Sequence, residues 1–400
     1  MSNLKIKDVA TINPRFDKAN YKIDTSVSFI PMAAISDKNY KIEKEDEGVL
    51  SKYLKGYTSF EKGDILLAKI TPCFENGKIA IANISHMIGF GSTEFIVIRT
   101  NPKIILTKFL FYILRSEKFM ALGKNNMTGS AGQKRLRRDF LENYPIILPS
   151  LEEQQNIVKI LDQVESVIQK RKVAITLLDD YLKAVFIEMF GDPVENSKSW
   201  DVKKLKDMSL KIHSGNTPKG GAQVYVKEGV LFLRSQNVWR NRLDLDDVAF
   251  ISEETHNKMR NSSLEHKDLI MTKTGRINTE NSSLGRAAIY LGENNRANIN
   301  GHVYMIRLKK DTVHEFVLFI LTTNEYREYI RRICVGGIDK RQINKVHLEE
   351  FPIISPPNEL QNKFSEIVHK TESIKQKMLL QSQELDIQFQ ALMQKSFSNT

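Results

Sequence analysis

The sequence predicts an α+β fold in which one mixed α/β module is used twice, each copy being followed by a long amphipathic helix. Three observations support this prediction: a length of 400 residues, an internal repeat, and two apolar stripes with coiled-coil spacing. A chain this long exceeds what one hydrophobic core usually holds, so two medium domains are expected. We predict a first module over residues 1–149, a central long helix and linker over 150–193, a second module over 194–357 and a C-terminal long helix over 358–400.

The internal repeat is clearest at the end of each module. At an offset of 207 residues, the segment 141–147 (LENYPII) lies over 348–354 (LEEFPII). Towards the start of each module the offset falls to 204 and then to 199, because the second copy carries extra loop residues. Short runs rich in β-branched and aromatic residues alternate with polar loops, and they predict a mixed sheet in each module. Each sheet is expected to carry a small helix, around residues 107–118 in the first copy and 313–329 in the second.

The segment after each module has the pattern of a long helix. Ser150 followed by Glu153 is a capping box, and Asn358 with Gln361 offers the same signal in the second copy. Apolar residues then alternate in steps of three and four, the spacing of a coiled-coil seam, so we expect the helices to form an antiparallel pair. The alternative is that each helix packs on its own module alone. The seam residues expected in the helix pair or a partner interface are Leu161, Val164, Ile168, Ile175, Leu178, Leu182, Val185, Phe364, Ile367, Ile374, Met378, Leu385 and Leu392.

The net charge of +11 is concentrated on the modules. Residues 1–149 hold 23 Lys and Arg against 15 Asp and Glu, and residues 194–357 hold 26 against 20. The helix segments are net acidic over 150–193 and neutral over 358–400. Clustered basic groups favour a polyanion as partner, because their binding to phosphates releases counterions. A solvated basic surface is the alternative.

Other classes of protein are disfavoured by composition. No apolar stretch approaches the roughly 18 residues that span a bilayer, and residues 1–10 contain no apolar signal core, so we expect a cytoplasmic protein that does not contact membranes. The two cysteines, Cys73 and Cys334, cannot alone supply a structural zinc site or a disulfide framework. The sequence therefore predicts no metal site.

Three loops in each module have the residue types that contact nucleic acid: small residues for close approach, amides for base edges and basic groups for phosphates. An ordinary turn with solvated charges is the alternative for any one loop, but the loops recur in both copies. The residues expected to contact DNA are Lys69, Thr71, Asn76, Lys78, Ser130, Gln133, Lys134, Arg135 and Arg137 in the first module, and Asn216, Thr217, Lys219, Lys273, Thr274, Arg276, Asn278, Arg286, Lys340, Arg341, Gln342 and Asn344 in the second.

Catalytic motifs are incomplete. The tetrapeptide that begins at Asn13 superficially matches a motif of amino-methyltransferases, but Arg15 replaces its second proline and no Gly-rich cofactor loop follows a nearby strand. Glu265 and Lys267 imitate a metal-nuclease pair, yet the repeat marks their position as the ordinary start of a strand. The sequence contains neither a G-x-x-x-x-G-K-[ST] phosphate loop nor an H-E-x-x-H helix. We therefore predict no catalytic residue.

The duplicated module, the run over residues 145–155 (PIILPSLEEQQ) that enters a long helix, and the loop 215–219 (GNTPK) together resemble the specificity subunit of type I restriction-modification systems. The resemblance covers essentially the whole chain. It implies two target-recognition domains in a pseudo-twofold arrangement, held in inverted orientation by two long antiparallel helices. Each domain would read one half of a bipartite, asymmetric site in double-stranded DNA, and the helices would set the spacing between the halves.

The same resemblance implies that this chain is not an enzyme and carries no cofactor. Two modification subunits would bring S-adenosylmethionine and methylate adenines, and restriction subunits would bring translocation and cleavage driven by ATP and Mg²⁺. The long helices would dock the modification subunits. Two other interpretations stay open: a nuclease or methyltransferase with unfamiliar motifs, which binding of S-adenosylmethionine or metal by the isolated chain would favour, and a protein-binding scaffold, which an absence of DNA binding would favour.

Overall fold

The computed structural model describes residues 2–130, 132–276, 282–337 and 340–397. The chain divides into two compact units, the first formed by Met1–Ala174 with Met378–Thr400 and the second by Ile175–Lys377. Each unit combines sheets with short helices and with parts of both long helices, which confirms the predicted α+β fold. The domain boundaries taken from the sequence stay predictions, because neither unit coincides with a single predicted domain.

The first unit contains short strands and helices that precede a helix of 40 residues. The strands are β1 (Ser2–Lys5), β2 (Ala10–Ile12), β3 (Ser26–Ile30), β4 (Asp46–Val49), β5 (Thr58–Glu61), β6 (Ile65–Ala68), β7 (Ile79–Ile81), β8 (Ile88–Gly91), β9 (Phe95–Thr100), β10 (Met127–Thr128), β11 (Arg135–Leu136) and β12 (Pro145–Leu148). The helices are α1 (Ile6–Val9), α2 (Leu50–Tyr53), α3 (Thr107–Arg115), α4 (Glu117–Asn125), α5 (Arg138–Asn143) and the long α6 (Leu151–Phe190), which continues into the second unit.

The second unit repeats this plan and also leads into a helix of 40 residues. Its strands are β13 (Val202–Lys204), β14 (Ser209–Ser214), β15 (Tyr225–Val226), β16 (Val230–Leu233), β17 (Val238–Trp239), β18 (Arg242–Leu243), β19 (Ala249–Ile251), β20 (Leu269–Thr272), β21 (Thr274–Gly275), β22 (Ala287–Ile289), β23 (Ala297–Ile299), β24 (Val303–Leu308), β25 (Val335–Gly337), β26 (Lys340–Gln342) and β27 (Pro352–Ile354). Its helices are α7 (Glu253–Lys258), α8 (His314–Thr322), α9 (Asn324–Ile333), α10 (Lys345–Glu349) and α11 (Asn358–Phe397), which ends in the first unit.

The main sheets of the two units have the same topology, whereas the second sheets share their parallel pair and differ at their edge strands. The main sheet is antiparallel, with the order β2-β9-β6-β7 in the first unit and β14-β24-β20-β22 in the second. A second sheet contains one parallel pair, β3 with β8 and its counterpart β16 with β23. The first strand of each module also pairs with the strand before its long helix, β1 with β12 and β13 with β27. The internal repeat of the sequence is therefore a repeat of the fold.

Each module holds a buried ion pair at the start of a central strand of its main sheet. Arg99 donates two hydrogen bonds to Asp64, at 2.9 and 2.8 Å, and Arg307 donates two to Asp268 at the same distances. Arg307 also reaches Glu265 with an Nη1–Oε1 distance of 2.6 Å. Glu265, which together with Lys267 imitates a metal-nuclease pair in the sequence, is therefore the ion-pair partner of an arginine at the start of a strand. The repeat indicates the same structural role.

The helix expected around residues 107–118 and its counterpart around 313–329 are each two helices. The break falls at Ser116 and at Thr323. The hydroxyl of each residue accepts a hydrogen bond from the backbone N–H three residues later, at 3.3 Å in the first copy and 3.2 Å in the second. A hydroxyl that caps a new helix competes with continuation of the old one, which explains why the single-helix prediction was wrong.

The two long helices begin differently. At α6 the predicted capping box is present, because Ser150 N donates to Glu153 at 2.9 Å and Glu153 N donates to Ser150 Oγ at 3.2 Å. At α11 the predicted box with Asn358 is absent, because Asn358 is already helical and Pro357, which has no N–H, stands where Ser150 stands in the first copy. Gln361 instead donates to the carbonyl of Pro356 at 2.7 Å.

Within each unit the long helices pack on one another as well as on the module. In the second unit Lys375 of α11 pairs with Asp179 of α6, while Phe364 packs against Phe186 and Phe190, with ring centroids 5.3 and 5.6 Å apart. Going forward along α6 therefore means going backward along α11, so the segments are antiparallel. In the described residues, no helix combines the length and apolar character needed to cross a membrane.

The contact face of the helices departs from the predicted seam along part of α11. Ile374 is 51% exposed, whereas its neighbour Lys375 faces Asp179. Phe389, which is not among the predicted seam residues, is buried. A helix with 3.6 residues per turn drifts by about 20° per heptad against a strict seven-residue pattern, so a seam extended along 40 residues loses its register. Of the other predicted seam residues, Leu161, Ile168, Leu182 and Phe364 are buried, and Val164, Ile175, Leu178, Val185, Ile367, Met378, Leu385 and Leu392 are half-buried.

Candidate nucleic-acid interface

Several of the predicted loops in the first module leave one end of its main sheet. Because β9 is antiparallel to both β2 and β6, the residues that follow β2 and β6 lie beside those that precede β9. We call this the loop end; in the first unit it comprises residues 13–15, 69–78 and 92–94. The hairpin of β10 and β11 lies against it, since Thr71 N donates to Lys134 O at 2.9 Å and Leu136 N donates to Lys69 O at 2.8 Å.

The second module has the same loop end, formed by residues 215–219, 273–276 and 300–302. Strand β21 of this end pairs with β26, and Ile343 N donates to Lys273 O at 2.9 Å, the equivalent of the bond between Leu136 and Lys69. Gly215 is packed tightly here, because a Cβ at this residue would lie 2.2 Å from the carbonyl oxygen of Asn300. The structure thus brings together three loops that are far apart in the sequence.

The predicted residues of the first module divide into exposed groups and groups already held by the protein. Lys69 Nζ donates to Thr93 O at 2.7 Å, and Lys78 Nζ donates to Met32 O at 3.3 Å. Arg137 pairs with Asp139, two residues further along the chain. Thr71 is half-buried. The side chains open to solvent are Asn76, Ser130, Gln133 and Lys134, together with Arg135 and Arg137, which are exposed although each is ion-paired.

Arg135 makes a two-pronged ion pair with Glu94 at the loop end. Its Nε lies 3.0 Å from Oε2 and its Nη2 lies 2.8 Å from Oε1. The hydrogen bonds from Arg135 hold the pKa of the Glu94 carboxyl below its ordinary value. The pair therefore stays ionised, and it presents a fixed carboxylate beside a fixed guanidinium. Glu94 was not predicted from the sequence, where its signal is an acidic residue at the position that aligns with His302 at an offset of 208 residues.

The predicted residues of the second module divide in the same way. Lys273 Nζ donates to Ser214 Oγ at 2.9 Å and to Gly301 O at 3.1 Å, and burial lowers its pKa. Arg341 donates to Cys334 O at 3.1 Å. Asn278 lies outside the described residues, and Arg286 is buried. The exposed or half-exposed side chains are Asn216, Thr217, Lys219, Thr274, Arg276, Lys340, Gln342 and Asn344.

A second group that the sequence analysis missed lies on the hairpin of β17 and β18. Trp239 and Arg242 face one another across it, and Arg240 is at its turn. The guanidinium of Arg286 lies 3.9 Å from the Trp239 ring centroid. Only the fold places this hairpin beside β22, where Asn241 N donates to Ala287 O at 2.9 Å.

The residues that resembled catalytic motifs have structural partners. Asn13 closes the end of β2 onto β9, because its N–H donates to Val97 O at 2.7 Å and its Oδ1 accepts from Val97 N at 2.9 Å. A cavity of about 700 Å³ in the second unit lies at the opposite end of the main sheet from the loops, and two of the carboxylates that line it, Glu265 and Asp268, are bound by Arg307. In the part of the chain that the structure describes, no group of three or more His, Cys, Asp or Glu side chains is placed to hold a metal ion.

Comparison with known proteins gives a consistent result. Residues 1–177 and 197–382 match the family described as type I restriction modification DNA specificity domain. The EcoAI specificity subunit of Escherichia coli is 42% identical over 182 residues, which cover 44% of this chain and 30% of that protein. The EcoEI specificity subunit of the same species is 38% identical over 156 residues, covering 39% and 26%. The matched segments thus span about a third or less of these relatives.

The fold matches a solved structure over nearly its full length. A chain from a structural study of complex assembly in a type I R-M system aligns with a TM-score of 0.59 at 19% identity, covering 99% of this chain and 97% of that one. At this level of identity the likeness concerns the fold.

Proposed function

Because the chain belongs to the family of the type I restriction modification DNA specificity domain, we propose that it is the DNA sequence-specificity subunit of a type I restriction-modification complex. Each module reads one half of a bipartite, asymmetric site in double-stranded DNA, and the long helices set the spacing between the halves. The observation that carries this proposal is the loop end, which is formed at equivalent strand ends in both units and has different side chains at equivalent positions.

The side chains that differ at equivalent positions are of the kinds that a protein recognising two unlike half-sites requires. Arg135 of the first module aligns with Gln342 of the second, Glu94 with His302, and Arg137 with Asn344. Arginine pairs best with guanine, glutamine with adenine, and a carboxylate accepts from the amino group of cytosine. The shared backbone hydrogen bonds hold the loops in place while the side chains change.

We assign the chemistry of the complex to partner subunits. Two modification subunits with S-adenosylmethionine would methylate the site, and restriction subunits with ATP and Mg²⁺ would translocate and cleave DNA, in the cytoplasm. The long helices suit protein partners because they expose apolar side chains, Ile160 and Val167 in the first unit and Leu177 and Tyr181 in the second. Binding of S-adenosylmethionine or a divalent metal by the isolated chain would contradict this division.

Exchange of one module tests the proposal. Replacing residues 1–149 by the same module of a relative, with the native modification subunits present, is expected to change one half of the methylated motif and leave the other half as it was. The measurement is a genome-wide map of modified adenines. The matched control replaces residues 194–357 and should change the other half only. A map in which both halves change, or neither does, would show that the modules do not read separate half-sites.

A single substitution at the loop end tests the role of the fixed ion pair. Glu94→Gln removes the carboxylate charge, and one position of the first half-site should become degenerate, because a good two-pronged contact provides about 1–3 kcal/mol of discrimination between bases. His302→Gln is the matched variant in the second module and should affect only the second half-site. The same map of modified adenines reports both. An unchanged first half-site in the Glu94→Gln variant would mean that this pair only stabilises the loops.

A further inference from the structure

The second module carries a cluster of arginines beside its loop end. Arg240 and Arg242 come from the hairpin of β17 and β18, Arg286 leads into the edge strand β22, and Arg327 and Arg331 come from α9. Arg286 and Arg327 both reach the carbonyl oxygen of Ser282, at 3.0 and 3.2 Å. Side chains from three separate segments thus bring their positive charges to one surface.

The ring of Trp239 lies against two of these guanidinium groups. The Cζ of Arg286 is 3.9 Å from the ring centroid and that of Arg242 is 5.5 Å from it. Arg286 is 8% exposed, whereas Arg242 is open to solvent. The indole N–H of Trp239 is buried and has no hydrogen-bond partner among the residues that the structure describes. The exposed guanidinium of Arg242 therefore lies within cation–π distance of a ring that is itself held against the buried Arg286.

The arginines raise one another's electrostatic energy. Burial lowers the pKa of Arg327, and the charges of Arg240, Arg331 and Arg286 lower it further. Two acidic side chains act against this, Glu325 on Arg240 and Glu328 on Arg331, the latter as an ion pair within α9. A surface on which cations repel one another despite these carboxylates is stabilised when a polyanion binds.

At the equivalent place in the first module, the residues that the structure describes include no cluster of arginines. Its counterpart of the hairpin is the bridge between Ile35 and Ile42, whose connecting loop 36–41 (SDKNYK) contains two lysines and one aspartate but no arginine. When the repeat is aligned, Lys78 takes the position of Arg286 at an offset of 208 residues, and Met120 takes that of Arg327 at an offset of 207. The cluster is therefore a property of the second module and is not part of the frame that the modules share.

We propose that this arginine cluster is a phosphate-binding surface, by which the second module grips the backbone of duplex DNA beside the bases that its loop end reads. Planar guanidinium groups match phosphate oxygens in two-pronged hydrogen bonds. Such contacts fix the position of the protein on the duplex and carry no sequence information themselves. This inference rests on the proposed function. It predicts an asymmetry, in which the second half-site is held by more phosphate contacts than the first.

The test is the salt dependence of DNA binding by the assembled complex of this chain with its modification subunits. Each phosphate contact contributes about 0.9 to the slope of log affinity against log salt concentration, so Arg240→Ala with Arg242→Ala should reduce the slope by about 1.8. The affinities for the specific site and for unrelated duplex DNA should fall together, and the methylated motif should stay the same. Arg242→Ala alone, which removes no hydrogen bond to the protein, should reduce the slope by about 0.9.

Two control variants distinguish the loss of phosphate contacts at this cluster from a general loss of positive charge. Lys309→Ala with Lys310→Ala removes the same charge from exposed residues at the opposite end of the main sheet, and it should leave the slope unchanged. Arg240→Lys with Arg242→Lys keeps the charge and should keep most of the slope. An unchanged slope in the alanine variants, or a changed methylated motif, would overturn the phosphate assignment while leaving the specificity function standing. Absence of site-specific methylation by the unsubstituted complex would instead contradict the proposed function itself.

Discussion

Replacing Phe364 by alanine is expected to lower the free energy of unfolding of the second unit by about 3–5 kcal/mol, the cost of deleting a large, fully enclosed aromatic side chain. Phe364 is fully buried, and its ring centroid lies 4.9 Å from that of Phe319, in addition to its contacts with Phe186 and Phe190. It thus joins α11 to α6 and to α8 of the module at once. Truncation leaves a cavity that these rings cannot fill without moving.

Fluorescence during urea unfolding can report this loss for the second unit, because both tryptophans of the chain, Trp200 and Trp239, lie in it. Ile374→Ala is the matched control, since Ile374 was predicted in the same seam and is 51% exposed. Its midpoint should move by an amount typical of a surface site, within about 0.5 kcal/mol. Equal losses for the two variants would mean that the predicted seam, and not the one in the structure, is correct.

Asp268→Ala should lower the free energy of unfolding of the second unit by a similar amount, for a different reason. The Asp268 carboxylate is 2% exposed and accepts two hydrogen bonds from Arg307. Its removal leaves a guanidinium whose remaining ion-pair partner, among the residues that the structure describes, is the half-exposed Glu265. Breaking one partner of a buried pair typically costs about 3–5 kcal/mol, mainly through the charge left behind. Tryptophan fluorescence in urea is again the measurement.

A second substitution separates charge from packing at this site. Arg307→Met in the Asp268→Ala background should restore part of the lost stability, because an apolar side chain needs no partner. Asp64→Ala is the equivalent change in the first unit, where Arg99 takes the place of Arg307. In the first unit, the protection of the β6 and β9 amides against hydrogen exchange should show a loss of stability of similar size. A double variant no more stable than Asp268→Ala would mean that the cost does not come from the unpaired guanidinium.

Features set by neighbours in sequence were predictable. The capping box of Ser150 and Glu153 forms as expected, because its two hydrogen bonds depend on residues three apart. The same reasoning was wrong at Asn358, where a proline one residue earlier already occupies the start of the helix. The breaks at Ser116 and Thr323 were visible only as hydroxyl residues inside apolar runs, and a helix continuing through them was an equally good solution by pattern.

The candidate interface could be predicted only in part, since it is made of segments distant in sequence. Glycine, amide and basic residues indicated the individual loops, but their meeting at one end of a sheet depends on strand order. Glu94 and Trp239 act through partners 41 and 47 residues away, Arg135 and Arg286, so neither has a local signature. The predicted DNA contacts of the loop residues stay predictions, and the experiments on the modules address them.

The pairing of β1 with β12, and of β13 with β27, bears on how a module can be exchanged by genetic recombination. In each module the chain enters and leaves on adjacent strands, Ser2 beside Leu148 and Val202 beside Ile354. Strands paired in this way lie about 4.8 Å apart, so both ends of a module meet the rest of the protein at one place. A recombination event with crossovers in these two short strands would replace everything between them and leave the junction intact. A new specificity would then arise in one genetic step, without a partially altered intermediate that must still fold.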